Sequence, residues 1–293
     1  MSLAIARQLK GYCSDDPAVK HEKCLPIGVF RKMWNNRATA LAAAIGQLAV
    51  GALFFGMRSC EYTDTAGDRK TRLLRVMDIK FLRGRREIKK GANQFYSRAD
   101  SVTICFTHQK NGEKEAEITM HKSIHGLCPV QAWGQIVSRI LSYPKSSPES
   151  PVNLVEKRLK NRMNYVKVKS SQVLQHIRNT VTQIGFNKLG FGPKEVGTHS
   201  IRSSCAMFLH LNDVKTEKIM LQGRWKSTAF LSYIRVQVLE FSAGLSGLMN
   251  NTRDFYTVPE TNFDHRELHY LHVPHRYNPF EDILTRNPGL LAF

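Results

Sequence analysis

No stretch of the chain holds the roughly 18 to 20 consecutive apolar residues that a membrane-spanning helix needs. The most apolar run, Ala40 to Phe55, is interrupted by Gly46, Gln47 and Gly51, so a soluble protein is expected. The first ten residues lack the apolar segment of a secretory signal. Six cysteines (Cys13, Cys24, Cys60, Cys105, Cys128 and Cys205) show neither a CxxC pair nor framework spacing, which argues against zinc ribbons and secreted disulfide scaffolds. Reduced thiols inside a cell are expected. Acidic residues are also few: 24 Asp and Glu stand against 43 Lys and Arg in 293 residues, for a formal charge of +19. That excess, with a pI near 9.9, calls for a polyanionic partner, nucleic acid first and an acidic membrane surface as the competing reading.

What is present suffices for a full core, since 42% of the residues are hydrophobic. Residues 1–24 are polar and form a lead-in. From Pro26 the pattern turns helical, with Phe30, Met33 and Trp34 on one face, and after Asn35-Asn36 the run Ala38 to Phe55 is apolar almost all round, which requires burial on most sides. Leu73 to Lys90 and Ser101 to Met120 carry β-branched, alternating character. Asn111-Gly112 predicts a hairpin entered by Val102, Ile104 and Phe106 and left by Ile118 and Met120. Helices are expected from Pro129 to about Leu141, then over 171–184, 200–211, 215–221 and 228–248, with a loosely packed tail over 251–293. The order predicts an α+β fold, mostly helical with a small antiparallel sheet.

Three places carry chemistry. GALFFGMRSCE delivers Arg58 and Glu61 from an apolar helix, where they could serve an anion or simply pair with each other. His199-Ser200-Ile201-Arg202 puts an imidazole and a guanidinium on one face of a helix start, with Thr198 or Ser200 as its cap, a setting that suits phosphate. The HxxR spacing alone is weak. In GRWKSTAFLSYIR, Tyr233 lies beside Leu231 and Ile234, which by itself describes an ordinary core tyrosine.

Together these residues resemble the tyrosine recombinases, the family of Cre, the Xer proteins and phage integrases, over about residues 25–250. The family's order is Arg with a following Glu or Asp, a hairpin Lys, His-x-x-Arg, a His or Trp, then Tyr. It is met here by Arg58 with Glu61, Lys110, His199 with Arg202, Trp225 and Tyr233. GRWKSTAFLSYIR, FTHQKNGEK and LCPVQAW look most like recombinases of eukaryotic mobile elements of the Crypton and DIRS kind. The resemblance implies that Tyr233 attacks a DNA phosphate, giving a 3′-phosphotyrosine and a free 5′-hydroxyl. Arg58 and Arg202 would clamp the non-bridging oxygens, Lys110 would protonate the leaving oxygen, His199 would assist proton transfer, Trp225 would pack and donate, and Glu61 would orient the set. No cofactor or metal is called for.

The chain departs from the family pattern in two respects. Trp225 lies eight residues before Tyr233, whereas the family places its His or Trp nine before, where Arg224 stands. Only the 24-residue lead-in precedes the resemblance, as a remnant of the family's helical DNA-clamping domain. Lys114 competes with Lys110 for the acid role. The basic stretch Lys80 to Lys90 is read as a solvated strand face, with a DNA-facing strand as a further reading. His265, His269, His272 and His275 do not make a metal site, because Pro274 breaks the helix that would align them. Duplex DNA is the expected partner, and a homo-oligomer is expected through a helix over 238–249. The site of action is nuclear in a eukaryote and cytoplasmic otherwise. Two other functions fit the same residues: a type IB topoisomerase-like relaxing enzyme, and an inactive DNA-binding protein derived from a mobile element.

Overall fold

The computed structural model describes residues 22–66, 71–108, 115–159, 162–228, 230, 231 and 234. Its helices build the core and its small sheet flanks it, an α+β arrangement. Ile27–Asn35 (α1) turns Val29, Phe30 and Met33 inward. Ala40–Phe54 (α2) starts at Thr39, whose hydroxyl accepts from the Ala42 N–H at 3.0 Å. Every residue from Ala44 to Leu53 is buried, as expected of a helix apolar on all sides. Pro129–Leu141 (α4) crosses it, with Trp133 packed edge-on to Phe55 and its indole N–H donating to the Gly51 carbonyl at 3.3 Å. Between them in sequence lies the single turn Ser59–Tyr62 (α3).

Ile79–Arg83 (β1), Arg86–Glu87 (β2), Ser101–Phe106 (β3) and Ala116–His121 (β4) form an antiparallel sheet in the order β2-β1-β3-β4. β3 and β4 form the hairpin expected around Asn111-Gly112, with Val102 paired with Met120 and Ile104 with Ile118; residues 109–114, the tip itself with Lys110 and Lys114, lie outside the described residues. The strand expected over Leu73 to Lys90 is shorter than foreseen. Asp78 accepts the Arg75 backbone N–H at 2.8 Å and winds Val76–Asp78 into a 3₁₀ turn before β1 begins.

Leu154–Leu159 (β5) and Arg162–Lys167 (β6) form a second hairpin to which the sequence pattern assigns no element. Ser170–Ile184 (α5), the short turn Phe186–Leu189 (α6), His199–Leu211 (α7) and Thr216–Gly223 (α8) follow. A satellite cluster of Cys24, Ala206, Met207, Ile219, Phe230 and Ile234 ties the start of the described chain to its end. Cys105, Cys128 and Cys205 are free thiols. Among the described residues no helix is long and apolar enough to cross a membrane. The helix expected over 238–249 and the tail histidines lie outside them.

Candidate active site

Two helix ends make the site. At the end of α2 the Gly56 N–H bonds the Leu53 carbonyl and the Met57 N–H bonds that of Ala52, the paired bonds of a Schellman turn, with Gly56 at φ 51°. At the end of α8 the Arg224 and Trp225 N–H groups bond back to Leu221 and Met220, and here the left-handed position, φ 57°, is held by Arg224. A non-glycine residue there costs roughly 1–2 kcal/mol, so the side chain is retained against a backbone preference. The two turns touch: a Cβ on Gly56 would lie 3.2 Å from Gly223 Cα.

Arg202, in the first turn of α7, is 2% exposed and reaches both turns, donating to the carbonyls of Gly56 and Gly223. The Trp225 ring lies 4.2 Å from its guanidinium carbon and packs against Phe230. Arg58 opens α3. Its backbone N–H donates to Glu61 Oε2 at 2.9 Å and its Nη1 to Oε1 at 3.2 Å. Arg224 turns inward and forks onto the same carboxylate, Nη1 to Oε1 at 3.0 Å and Nη2 to Oε2 at 2.9 Å, while its guanidinium carbon stands 3.5 Å from the Phe106 ring centroid. Phe106 ends β3, from which the chain continues toward Lys110 and Lys114.

Glu61 is 1% exposed. Burial is the largest influence on its carboxyl and raises it, yet Arg224, then Arg202 and Arg58, together hold it below its ordinary value. Arg202 is pushed down to about 9, first by burial and then by the Arg58 and Arg224 charges. Three guanidiniums thus share one carboxylate, leaving two positive charges in excess in a largely buried place. Of the three, Arg58 is the most open, its side chain 20% exposed against 2% for Arg224.

The geometry therefore gathers Arg58, Glu61, Arg202 and Trp225, and adds Arg224, which the sequence offered only as an alternative to Trp225. His199 opens α7 one turn before Arg202. The cap of that helix differs from expectation. Thr198 makes no side-chain cap and Ser200 Oγ instead accepts from the Gly197 N–H; the carboxylate facing the N–H groups of Ser200 and His199 belongs to Glu22. The helix start read as a phosphate cradle is thus faced by a residue of the chain itself. Tyr233 lies outside the described residues; its neighbours Leu231 and Ile234 are helical, and Ile234 is buried.

No family model matches the chain. No curated protein matches it. Among solved structures it is similar to the XerH site-specific recombinase bound to palindromic difH substrate in a post-cleavage complex, with TM-score 0.46 and 15% identity over 78% of this chain and 54% of that one. The chain spans about half the length of that recombinase.

Proposed function

We propose that the chain is a DNA strand-cutting and rejoining enzyme of the tyrosine recombinase type, with its catalytic unit in residues 25–250. The observation that carries this reading is the surplus of two positive charges around Glu61. A phosphodiester carries one negative charge, and its pentacoordinate transition state about two. A buried surplus of two therefore favours the transition state over the ground state.

In this reading the Tyr233 oxygen attacks the scissile phosphorus. The P–O bond to Tyr233 forms as the P–O5′ bond and the tyrosine O–H bond break; the hydroxyl proton passes to a phosphate oxygen with His199 assisting, and Lys110 gives its proton to the departing oxygen. Arg58 and Arg202 meet the non-bridging oxygens. Glu61 keeps Arg58 from straying, and Trp225 holds the plane of Arg202. Religation reverses these steps on a new 5′-hydroxyl. The enzyme acts as an oligomer on duplex DNA and derives from a mobile element.

One observation favours an inactive DNA-binding protein instead: each oxygen of Glu61 already accepts from Arg224, so the cluster also serves as a structural lock. A nicked suicide duplex separates the two. The enzyme traps a covalent protein–DNA adduct that Tyr233→Phe loses while keeping its fold and duplex affinity; a binding protein yields no adduct in the wild type.

A further inference from the structure

The β5–β6 hairpin carries basic residues that the proposed mechanism does not use. With the starts of α2 and α5 it encloses an open groove whose lining includes Thr39, Lys157, Arg158, Lys167, Lys169 and Gln172. The four basic side chains belong to exposed residues, and none forms an ion pair among the described residues. Glu156 is the one acidic residue in the lining. The N-termini of α2 and α5, each 15 residues long, border the groove and add their partial positive charge.

The groove is tied to the segment that carries the site. Lys169 forms a parallel bridge with Asp64, three residues past Glu61; the Asp64 N–H bonds the Val168 carbonyl and the Ser170 N–H returns to the Asp64 carbonyl, each about 2.9 Å or shorter. Six residues separate Arg58 from Asp64 and span at most roughly 21 Å, so the basic track begins within about one helical turn of DNA from Arg58. Its far end, at Thr39, lies at the other end of α2, which at 1.5 Å per residue is roughly 22 Å away. That distance corresponds to about six or seven base pairs at 3.4 Å per pair along one strand.

We infer that this groove is a second duplex-backbone site, one that grips the phosphates flanking the scissile phosphodiester through Lys157, Arg158, Lys167 and Lys169. The inference rests on duplex DNA being the partner. The other exposed basic cluster on the sheet, Arg83, Arg85, Arg86 and Lys89, makes a natural control. It surrounds the β1–β2 turn, at the Ser101 end of the sheet rather than the Phe106 end that meets Arg224.

The test measures duplex affinity of the full chain across a salt series. Replacing all four groove residues by Gln is expected to lower the slope of log affinity against log salt by about 3.6, since each phosphate contact contributes about 0.9. The matching Gln variant at Arg83, Arg85, Arg86 and Lys89 is expected to keep the wild-type slope. Trimming the duplex to about three base pairs on one flank of the nick should bring the wild type down to the groove variant, while trimming the other flank should not. An unchanged slope in the groove variant, or an equal loss in the control variant, overturns the inference. Thermal melting of both variants checks that they are folded. The outcome is separable from the catalytic reading: a wild type that forms no adduct on nicked duplex, yet loses slope with the groove residues, defeats the enzyme and leaves the groove standing.

Discussion

The chain contains the same local device twice. Arg58 and Glu61 at the start of α3, and Arg75 and Asp78 before β1, both place a carboxylate three residues after an arginine, where it accepts that residue's own backbone N–H and its guanidinium. The backbone bonds measure 2.9 and 2.8 Å and the ion pairs 3.2 and 3.1 Å. Exposure does not separate them either, since the arginine side chains are 20% and 17% exposed. The difference is in what arrives from elsewhere. Asp78 receives both guanidinium bonds from Arg75 alone, whereas Glu61 also takes the fork of Arg224, with Arg202 in electrostatic reach. The first device finishes a turn; the second has become the anionic centre of a cationic cluster. A local motif states a conformation, and only the tertiary neighbours decide whether it carries a charge surplus that a ligand can use.

The largest expected effect lies in neutralising the two carboxylates. Glu61→Gln strands Arg224 and Arg202 in the interior without a counter-charge and is expected to cost about 3–5 kcal/mol. Asp78→Asn leaves an arginine that can turn to water and should cost about 1–2 kcal/mol. Urea unfolding of both variants measures the gap, and equal losses would remove the distinction between the two devices. The pH response follows from the same cluster. Because the folded Glu61 carboxyl titrates below its ordinary value, its contribution is fully present above the unfolded value, 4.5, and is lost as pH falls through the folded one. Glu61→Gln should therefore show a shallower loss of stability below about pH 4.5 than the wild type.

Much of the frame was legible from local pattern. The apolar run at Ala40–Phe54, the helix at Pro129–Leu141 and the pairing of β3 with β4 as a hairpin follow from periodicity and from one turn dipeptide, because each is fixed by residues near in sequence. The β5–β6 hairpin escaped because charged residues alternate with few apolar ones, and its inward positions, Val155 and Val166, are too sparse to signal a strand. Arg224 escaped as a partner of Glu61 for a different reason: 163 residues separate them, and nothing in GRWKS says that its arginine turns inward. Glu22 at the start of α7 is the same kind of miss. Sequence shows which side chains could bind phosphate, not which of them the fold has already paired.

A smaller effect tests the fork itself. Arg224→Lys keeps the charge and the left-handed backbone but replaces two parallel bonds by one point contact, and is expected to cost about 1.5–3 kcal/mol. If Arg224 serves the cluster through Glu61, the variant should also lower adduct yield on nicked duplex while leaving the salt slope of binding unchanged. A fall in slope by about one would instead make Arg224 a direct phosphate contact.

The smallest expected effect concerns Trp225, whose ring lies over Arg202 and against Phe230 at the start of the segment that carries Tyr233. Trp225→Phe keeps an aromatic face under the guanidinium and should cost less than about 1 kcal/mol. Moving the ring without deleting it is a sharper probe. A Cβ on Gly223 would fall 1.5 Å from Trp225 Cζ3, so Gly223→Ala must push the ring away. Alanine is otherwise the better helix former by about 1 kcal/mol, so any loss in Gly223→Ala reports the displaced ring rather than the backbone. The cleavage rate on nicked duplex should fall further in Gly223→Ala than in Trp225→Phe. In a Trp225→Ala background, where no ring is left to displace, Gly223→Ala should add little, which is the non-additivity expected of two changes acting through one contact. If Gly223→Ala lowers the rate as much without the tryptophan as with it, the loss comes through the Gly223 carbonyl that Arg202 also grips, and Trp225 has no hold on the site of its own.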